Sequence, residues 1–172
     1  MSETRRRIRD RIERDPGIHF RALTRALDLA TGQVQYHLRR LDDVTAETVN
    51  GRTHYYPPGY DARERRTMAL LRRETARDVV ATLFERDTAS PAAVADHLDI
   101  ARSTLEHHLD GLVAQNVVEK RRGDGGRVTL ALARPEETAT LLRAVEPSLP
   151  ERLTDRFERL VDGFLDGPDA DD

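Results

Sequence analysis

The phrase Leu27-Asp28-Leu29-Ala30-Thr31-Gly32-Gln33-Val34-Gln35-Tyr36-His37-Leu38-Arg39-Arg40-Leu41 returns 71 positions later. There it reads Leu98-Asp99-Ile100-Ala101-Arg102-Ser103-Thr104-Leu105-Glu106-His107-His108-Leu109-Asp110-Gly111-Leu112. Six of the fifteen positions are identical, and Leu29/Ile100 and Val34/Leu105 stay aliphatic. A repeat at this spacing implies two copies of one small compact unit rather than one larger domain.

The surrounding patterns define that unit. Thr4 to Asp15 reads as a helix with Ile8 and Ile12 on one face, stopped by Pro16-Gly17. Ile18 to Leu27 reads as a second helix burying Ile18, Ala22, Leu23 and Ala26. A tight turn at Asp28-Leu29-Ala30 leads to a third helix over Thr31–Leu41, whose inner stripe is Val34, Leu38 and Leu41. Two strand-like runs, Val44–Val49 and Arg52–Tyr56, flank Asn50-Gly51, a pair that tolerates the positive φ of a tight hairpin. The second copy opens with a helical stretch from Ala62 to about Arg86. Ser90-Pro91 then looks like an N-cap and first helical residue, and Ser103 with Glu106 has the spacing of a capping box. Val117–Arg121 and Arg127–Ala133 flank the looser turn Gly123-Asp124-Gly125-Gly126. Pro135 to Val145 is expected to be helical. Ser148 and Glu151 can cap a last helix with Leu153, Phe157, Leu160, Val161, Phe164 and Leu165 on one stripe.

The expected architecture is therefore mainly α with small β-hairpin wings, an α+β class. It comprises residues 1–60 as one unit, 61–134 as a second with a long leading helix, and 135–172 as C-terminal helices with an acidic tail. Charge follows the same division: 11 Arg against 8 acids in 1–60, 13 against 12 in 61–134, and 4 against 11 in 135–172. An N-terminal part able to approach a polyanion is followed by an acidic end. With no cysteine, disulfides, thiolate metal sites and cysteine nucleophiles are excluded. No apolar run approaches membrane-spanning length, and Arg5-Arg6-Arg7 has no apolar stretch behind it, so a cytoplasmic location is expected. Lys120 is the one lysine among 28 basic residues, and an Arg-heavy, Asp-rich composition resembles that of proteins from salt-loving archaea.

Helix, helix, three-residue turn, helix and hairpin is the order of a winged helix-turn-helix. Pro16-Gly17-Ile18-His19-Phe20 leading into Thr31–Leu41 resembles the archaeal winged-helix regulators related to the ArsR and MarR groups. The second copy, Ala101–Leu109, is similar to the same pattern but further from it. The resemblance spans roughly residues 5–133 and implies two tandem winged helix-turn-helix domains, binding to double-stranded DNA and control of transcription.

A recognition helix needs a polar, donor-rich outer face to enter the major groove. With Val34, Leu38 and Leu41 inward, the outer positions are Gly32, Gln33, Gln35, Tyr36, Arg39 and Arg40, joined at the helix start by Thr31. Glutamine pairs with adenine and arginine with guanine, while Arg52 and His54 on the wing are expected to grip the backbone or minor groove. In the second copy Gln35 becomes Glu106, Arg39 becomes Asp110 and Arg40 becomes Gly111. Carboxylates beside phosphates repel. Arg102, Ser103, Thr104 and His107 remain candidates for contact at the helix start, and Lys120, Arg121, Arg122 and Arg127 make a more basic wing. The second unit thus either touches only the backbone or serves protein contacts.

His37 and His108 sit beside the inner stripe in both copies and read as structural. His107-His108 point in different directions on a helix, so a metal site is not expected. The apolar stripe Leu153/Phe157/Leu160/Val161/Phe164 either packs back on the second unit or pairs with its twin in a homodimer. No phosphate loop, carboxylate pair or nucleophile motif is found, so neither catalysis nor a cofactor is expected. The alternative to a DNA-reading regulator is a tandem winged-helix scaffold for proteins, resembling accessory subunits of chromosome-condensing complexes.

Overall fold

The computed structural model describes residues 1–145, so the expected helix carrying Leu153, Phe157, Leu160, Val161 and Phe164 lies outside the described residues. The chain divides into two compact units, Met1–Ala69 and the part from Leu70 onward. Residues 61–69, expected with the second unit, lie in the first.

The first unit opens with α1 (Glu3–Arg14), where Ser2 Oγ accepts from Arg5 N at 3.2 Å and Arg11 and Arg14 stand in the last turn. Both choices suit the helix dipole and its unmade terminal bonds. Ile8 and Ile12 are fully buried, which at full burial contributes about 1.5–3 kcal/mol each. Gly17, at φ 82°, turns the chain and donates to Tyr55 O at 2.8 Å. Ile18–His19 is then not the start of a helix but a short strand, β1, antiparallel to Tyr55 and His54. Helical periodicity could not reveal this, because the partner strand lies 37 positions away.

The second helix, α2, runs Phe20–Leu27 and is capped by His19, whose Nδ1 accepts from Ala22 N at 3.2 Å. Leu23 is its fully buried residue; Ala26, expected inside, is exposed. Asp28 closes α2 in the left-handed region (φ 51°), and α3 (Thr31–Leu38) follows. That helix ends three residues earlier than expected. Arg40 N to His37 O and Leu41 N to Leu38 O tighten the chain into a turn, and Arg9 pairs with Asp43. Leu41 is nonetheless buried, while Leu38 is half-buried. Strands β2 (Thr45–Val49) and β3 (Arg52–Tyr56) pair around Asn50-Gly51, both at positive φ, giving a sheet in the order β1-β3-β2. The core gathers Ile8, Ile12, Ile18, Leu23, Val34 and Leu41.

The expected helix from Ala62 to Arg86 is broken into α4 (Ala62–Leu71) and α5 (Glu74–Arg86). Tyr56 OH donates to Arg65 O at 2.6 Å, and Glu47 pairs with Arg65 and Arg66. At the break Arg77, 5% exposed, donates through Nη1 to Leu71 O and Arg72 O at 3.1 and 2.7 Å. A buried guanidinium thus bonds two carbonyls at the break between the helices. Burial pulls its pKa below the usual arginine value, against the opposing effect of Asp78 and Glu74.

The second unit repeats the first in order: α5, β4 (Thr88–Ala89), α6 (Pro91–Leu98), α7 (Arg102–Ala114), β5 (Val118–Arg122) and β6 (Val128–Leu132), with a 3₁₀ turn at Asp124–Gly126 between the last two. Its sheet runs β4-β6-β5, and α8 (Pro135–Val145) follows. Ser90 Oγ accepts from Ala93 N at 3.1 Å and Asp99 takes φ 52°, matching His19 and Asp28 in the first copy. The expected capping box at Ser103 and Glu106 does not form. The N-cap of α7 is Ala101 without a side-chain bond, and Glu106 turns to Lys120 instead. Two inner pairs of the repeat coincide in burial, Val34 with Leu105 and Leu41 with Leu112.

Candidate nucleic-acid interface

In the first unit α3 turns Val34 inward and leaves Thr31, Gly32, Gln33, Gln35 and Tyr36 exposed, with Arg39 and Arg40 exposed just past its end. Tyr36 is 52% exposed, unusual for an aromatic side chain in a small unit. Arg40 folds over it, its guanidinium 3.6 Å from the ring centre, and its Nη1 donates to Tyr36 O at 2.9 Å. The two form a flat, cationic platform at the foot of the helix. A Cβ placed on Gly32 would meet no protein atom within 4 Å, so packing within the chain does not demand a glycine there. No carboxylate occupies α3.

Arg52 is exposed at the head of β3, as expected for a wing. His54 is not: it is 5% exposed inside the sheet, with Nδ1 2.7 Å from Gly17 O. A carbonyl can only accept, so Nδ1 carries the proton and the ring ties the hairpin to the start of β1. Alternation does not separate Arg52 from His54, which share a strand face; they differ in how far they lie from the hairpin tip.

Beside α3 lies a groove of about 890 Å³ lined by α2, the end of β1 and the hairpin. Arg21 and Arg25 come from α2, Arg52 and Tyr55 from β3, and Gln35 from α3, with no carboxylate among the lining residues. Sequence reasoning missed Arg21 and Arg25. Their i, i+4 spacing on the face opposite Leu23 was the available signal.

In the second unit Arg102, Ser103, Thr104 and His107 are exposed along the first turns of α7. Glu106 stands among them and holds Lys120 Nζ at 3.0 Å, with Arg102 Nη2 at 3.9 Å. Arg121 pairs with Glu119. Arg122 and Arg127, at the wing tip, are exposed and make no ion pair among the described residues. Gly111, the counterpart of Arg40, has a packing reason: a Cβ there would stand 3.0 Å from Leu70 Cδ2. His108 is half-buried, and burial, helped by His107 and Arg73, lowers its pKa from the ordinary histidine value.

A three-helix unit with a three-residue turn before its last helix and a hairpin behind it is a winged helix-turn-helix, and here it occurs twice in tandem. Residues 2–68 match the family model described as an N-terminal HTH domain, and residues 70–121 that of a helix-turn-helix domain. The chain carries two tandem HTH domains. It is 28% identical over 134 residues to a Methanocaldococcus jannaschii protein named as an uncharacterized HTH-type transcriptional regulator. That alignment takes in 74% of this chain and 33% of the relative, so the chain spans about a third of that protein's length. Among solved structures, ScpB from Mycobacterium tuberculosis aligns at 16% identity with a TM-score of 0.31, over 76% of this chain and 89% of that one. No helix among the described residues is long and apolar enough to cross a membrane.

Proposed function

We propose that this protein is a sequence-specific DNA-binding transcriptional regulator whose first unit reads the major groove through α3. The observation that carries this reading is the outer face of α3: Gln33, Gln35 and Tyr36 exposed, Arg39 and Arg40 exposed at its end, and no carboxylate on the helix. Glutamine and arginine are the side chains that pair bidentately with adenine and guanine edges. Gly32 leaves room at the helix start for an approaching backbone. The tandem HTH domains and the regulator-named relative agree with DNA as the partner.

The second unit supports the first, through backbone contact from Arg122 and Arg127 at its wing tip. Glu106 and Asp110 on α7 favour a further role in protein contact, as does Val113, which stands 37% exposed on the same helix. Homodimerisation through Leu153, Phe157, Leu160, Val161 and Phe164 belongs to this reading as well, with the apolar stripe needing cover.

The test is binding of the full chain to genomic DNA fragments across a salt series, beside the double change Arg39→Ala and Arg40→Ala. The regulator reading expects a preferred sequence bound with strong salt dependence, and a double variant that loses the preference by roughly 10–100-fold per base contact removed. Equal preference in variant and wild type would refute it.

A further inference from the structure

We infer that His19 is a proton-operated cap on α2, which makes DNA reading by the first unit sensitive to acid. This rests on the reading of the first unit as the DNA reader and concerns its regulation. The observation that carries it is a difference inside the repeat. His19 and Ser90 lie 71 positions apart, and so do the amides they cap, those of Ala22 and Ala93. His19 Nδ1 accepts from Ala22 N at 3.2 Å at the head of α2, and Ser90 Oγ accepts from Ala93 N at 3.1 Å at the head of α6. The two caps do the same job with different chemistry. A hydroxyl keeps its acceptor lone pairs throughout the physiological pH range, whereas an imidazole has an acceptor nitrogen only while it is neutral.

The bond to Ala22 N fixes the neutral tautomer of His19 with its proton on Nε2, so a second proton must arrive at Nδ1. There it turns an acceptor into a donor facing another donor, and the cap is lost. An imidazolium would also meet the positive end of α2, with Arg21 and Arg25 of α2 and Arg52 and Tyr55 of β3 lining the same groove. Across the sheet His54 stands opposite His19, with ring centres 6.1 Å apart at 85°, and Glu47 stands opposite His54. His54 holds Gly17 O, Glu47 holds Arg65 and Arg66, and Asp15 before β1 is held by Arg11 of α1. Helix α2 carries Leu23 into the core that also takes Val34 of α3, and His19 and Gln35 line one groove. Loosening the first turn of α2 therefore disturbs the seat of the reading helix. The added charge acts differently, since it attracts any phosphate and is blind to sequence. Acid is thus expected to lower the preference for one sequence over another rather than the affinity for DNA at large.

The cap is fully present above about pH 6.5, the ordinary histidine value, and is lost as the pH falls below it. The test uses the full chain as wild type, His19→Ser and Ser90→His, at pH 7.5 and pH 5. Hydrogen exchange of the Ala22 and Ala93 amides is read by NMR as protection factors, beside the ratio of affinities for a selected and a random duplex. Titration of His108 is common to all three proteins, so differences between them isolate the cap. In wild type, protection of Ala22 should fall about fivefold at pH 5, the factor that a typical N-cap corresponds to, and the ratio should fall with it. His19→Ser keeps an acceptor that does not titrate, so both readings should hold at pH 5. Ser90→His should bring the same fall to Ala93. A loss at Ala22 as large in His19→Ser as in wild type overturns the switch, and so does a wild-type ratio unchanged at pH 5. Failure of the base-reading proposal shows separately, as absence of sequence preference in wild type at pH 7.5 while the exchange response at Ala22 persists.

Discussion

The third helices of the two units start at matched positions, Thr31 and Arg102, after matched left-handed aspartates, yet they end differently and face the solvent differently. Helix α3 stops after 8 residues at a turn pinned by Arg9 and Asp43, while α7 continues for 13. Its extra length runs through Gly111, which lets Leu70 approach, and through Leu112, which is fully buried. The outer face of α3 presents amides and a phenol, with Arg39 and Arg40 just past its end and no carboxylate. That of α7 presents Glu106, which takes up Lys120 and Arg102, and the exposed Asp110. The difference teaches that duplicating a fold keeps the inner stripe under packing constraint while the outer face is free to change partners. It also shows that part of the outer change is forced from inside, because Gly111 is a packing residue.

The largest expected difference between the copies lies in the core. Leu109 is fully buried and its counterpart Leu38 is half-buried. Leu109→Ala should destabilise the second unit by about 2–5 kcal/mol, and Leu38→Ala the first by clearly less. Denaturant unfolding followed by hydrogen exchange, which resolves each unit, checks this; equal losses would break the comparison.

A smaller effect separates the units by pH. The His108 pKa in the folded state lies below its ordinary value near 6.5, through burial first and then the neighbouring His107 and Arg73. The unfolded chain therefore takes up the proton first. Stability from this group is fully present above about pH 6.5 and falls as the pH drops from there through the lower folded value. Thermal unfolding at pH 7 and 5.5 should show a drop in the second unit that His108→Asn reduces. A drop of the same size in that variant would assign the pH response to other groups.

Much of this was legible in the sequence because it is local or repeated. The inner residues Val34, Leu41, Leu105, Leu109 and Leu112 follow helical spacing, and Asn50-Gly51 announces its own hairpin. The outer face of α3 follows by subtraction, and all six of its predicted outer positions are exposed. What failed was non-local. Strand β1 forms because β3 is there to pair with it, and His54 is buried because Gly17 O lies across the sheet. The break before α5 depends on Arg77 reaching back to two carbonyls. Glu106 has the spacing of a capping box but finds Lys120 on the wing, 14 positions on, a charged partner that competes better than a backbone amide. The groove arginines Arg21 and Arg25 were readable as an exposed pair, but only the folded hairpin brings Arg52 to them.

The central claim is a division of labour: the first unit reads DNA bases and the second does not. It is tested most directly by measuring sequence preference, as the ratio of affinities for the selected site and random duplex, in two full-chain variants. Arg39→Ala/Arg40→Ala should bring that ratio close to one. Glu106→Gln/Asp110→Asn should leave the ratio unchanged while tightening binding to both duplexes, because two carboxylates no longer repel phosphate and Lys120 and Arg102 are released. A ratio that survives the first change and collapses with the second would contradict the account and make α7 the reader.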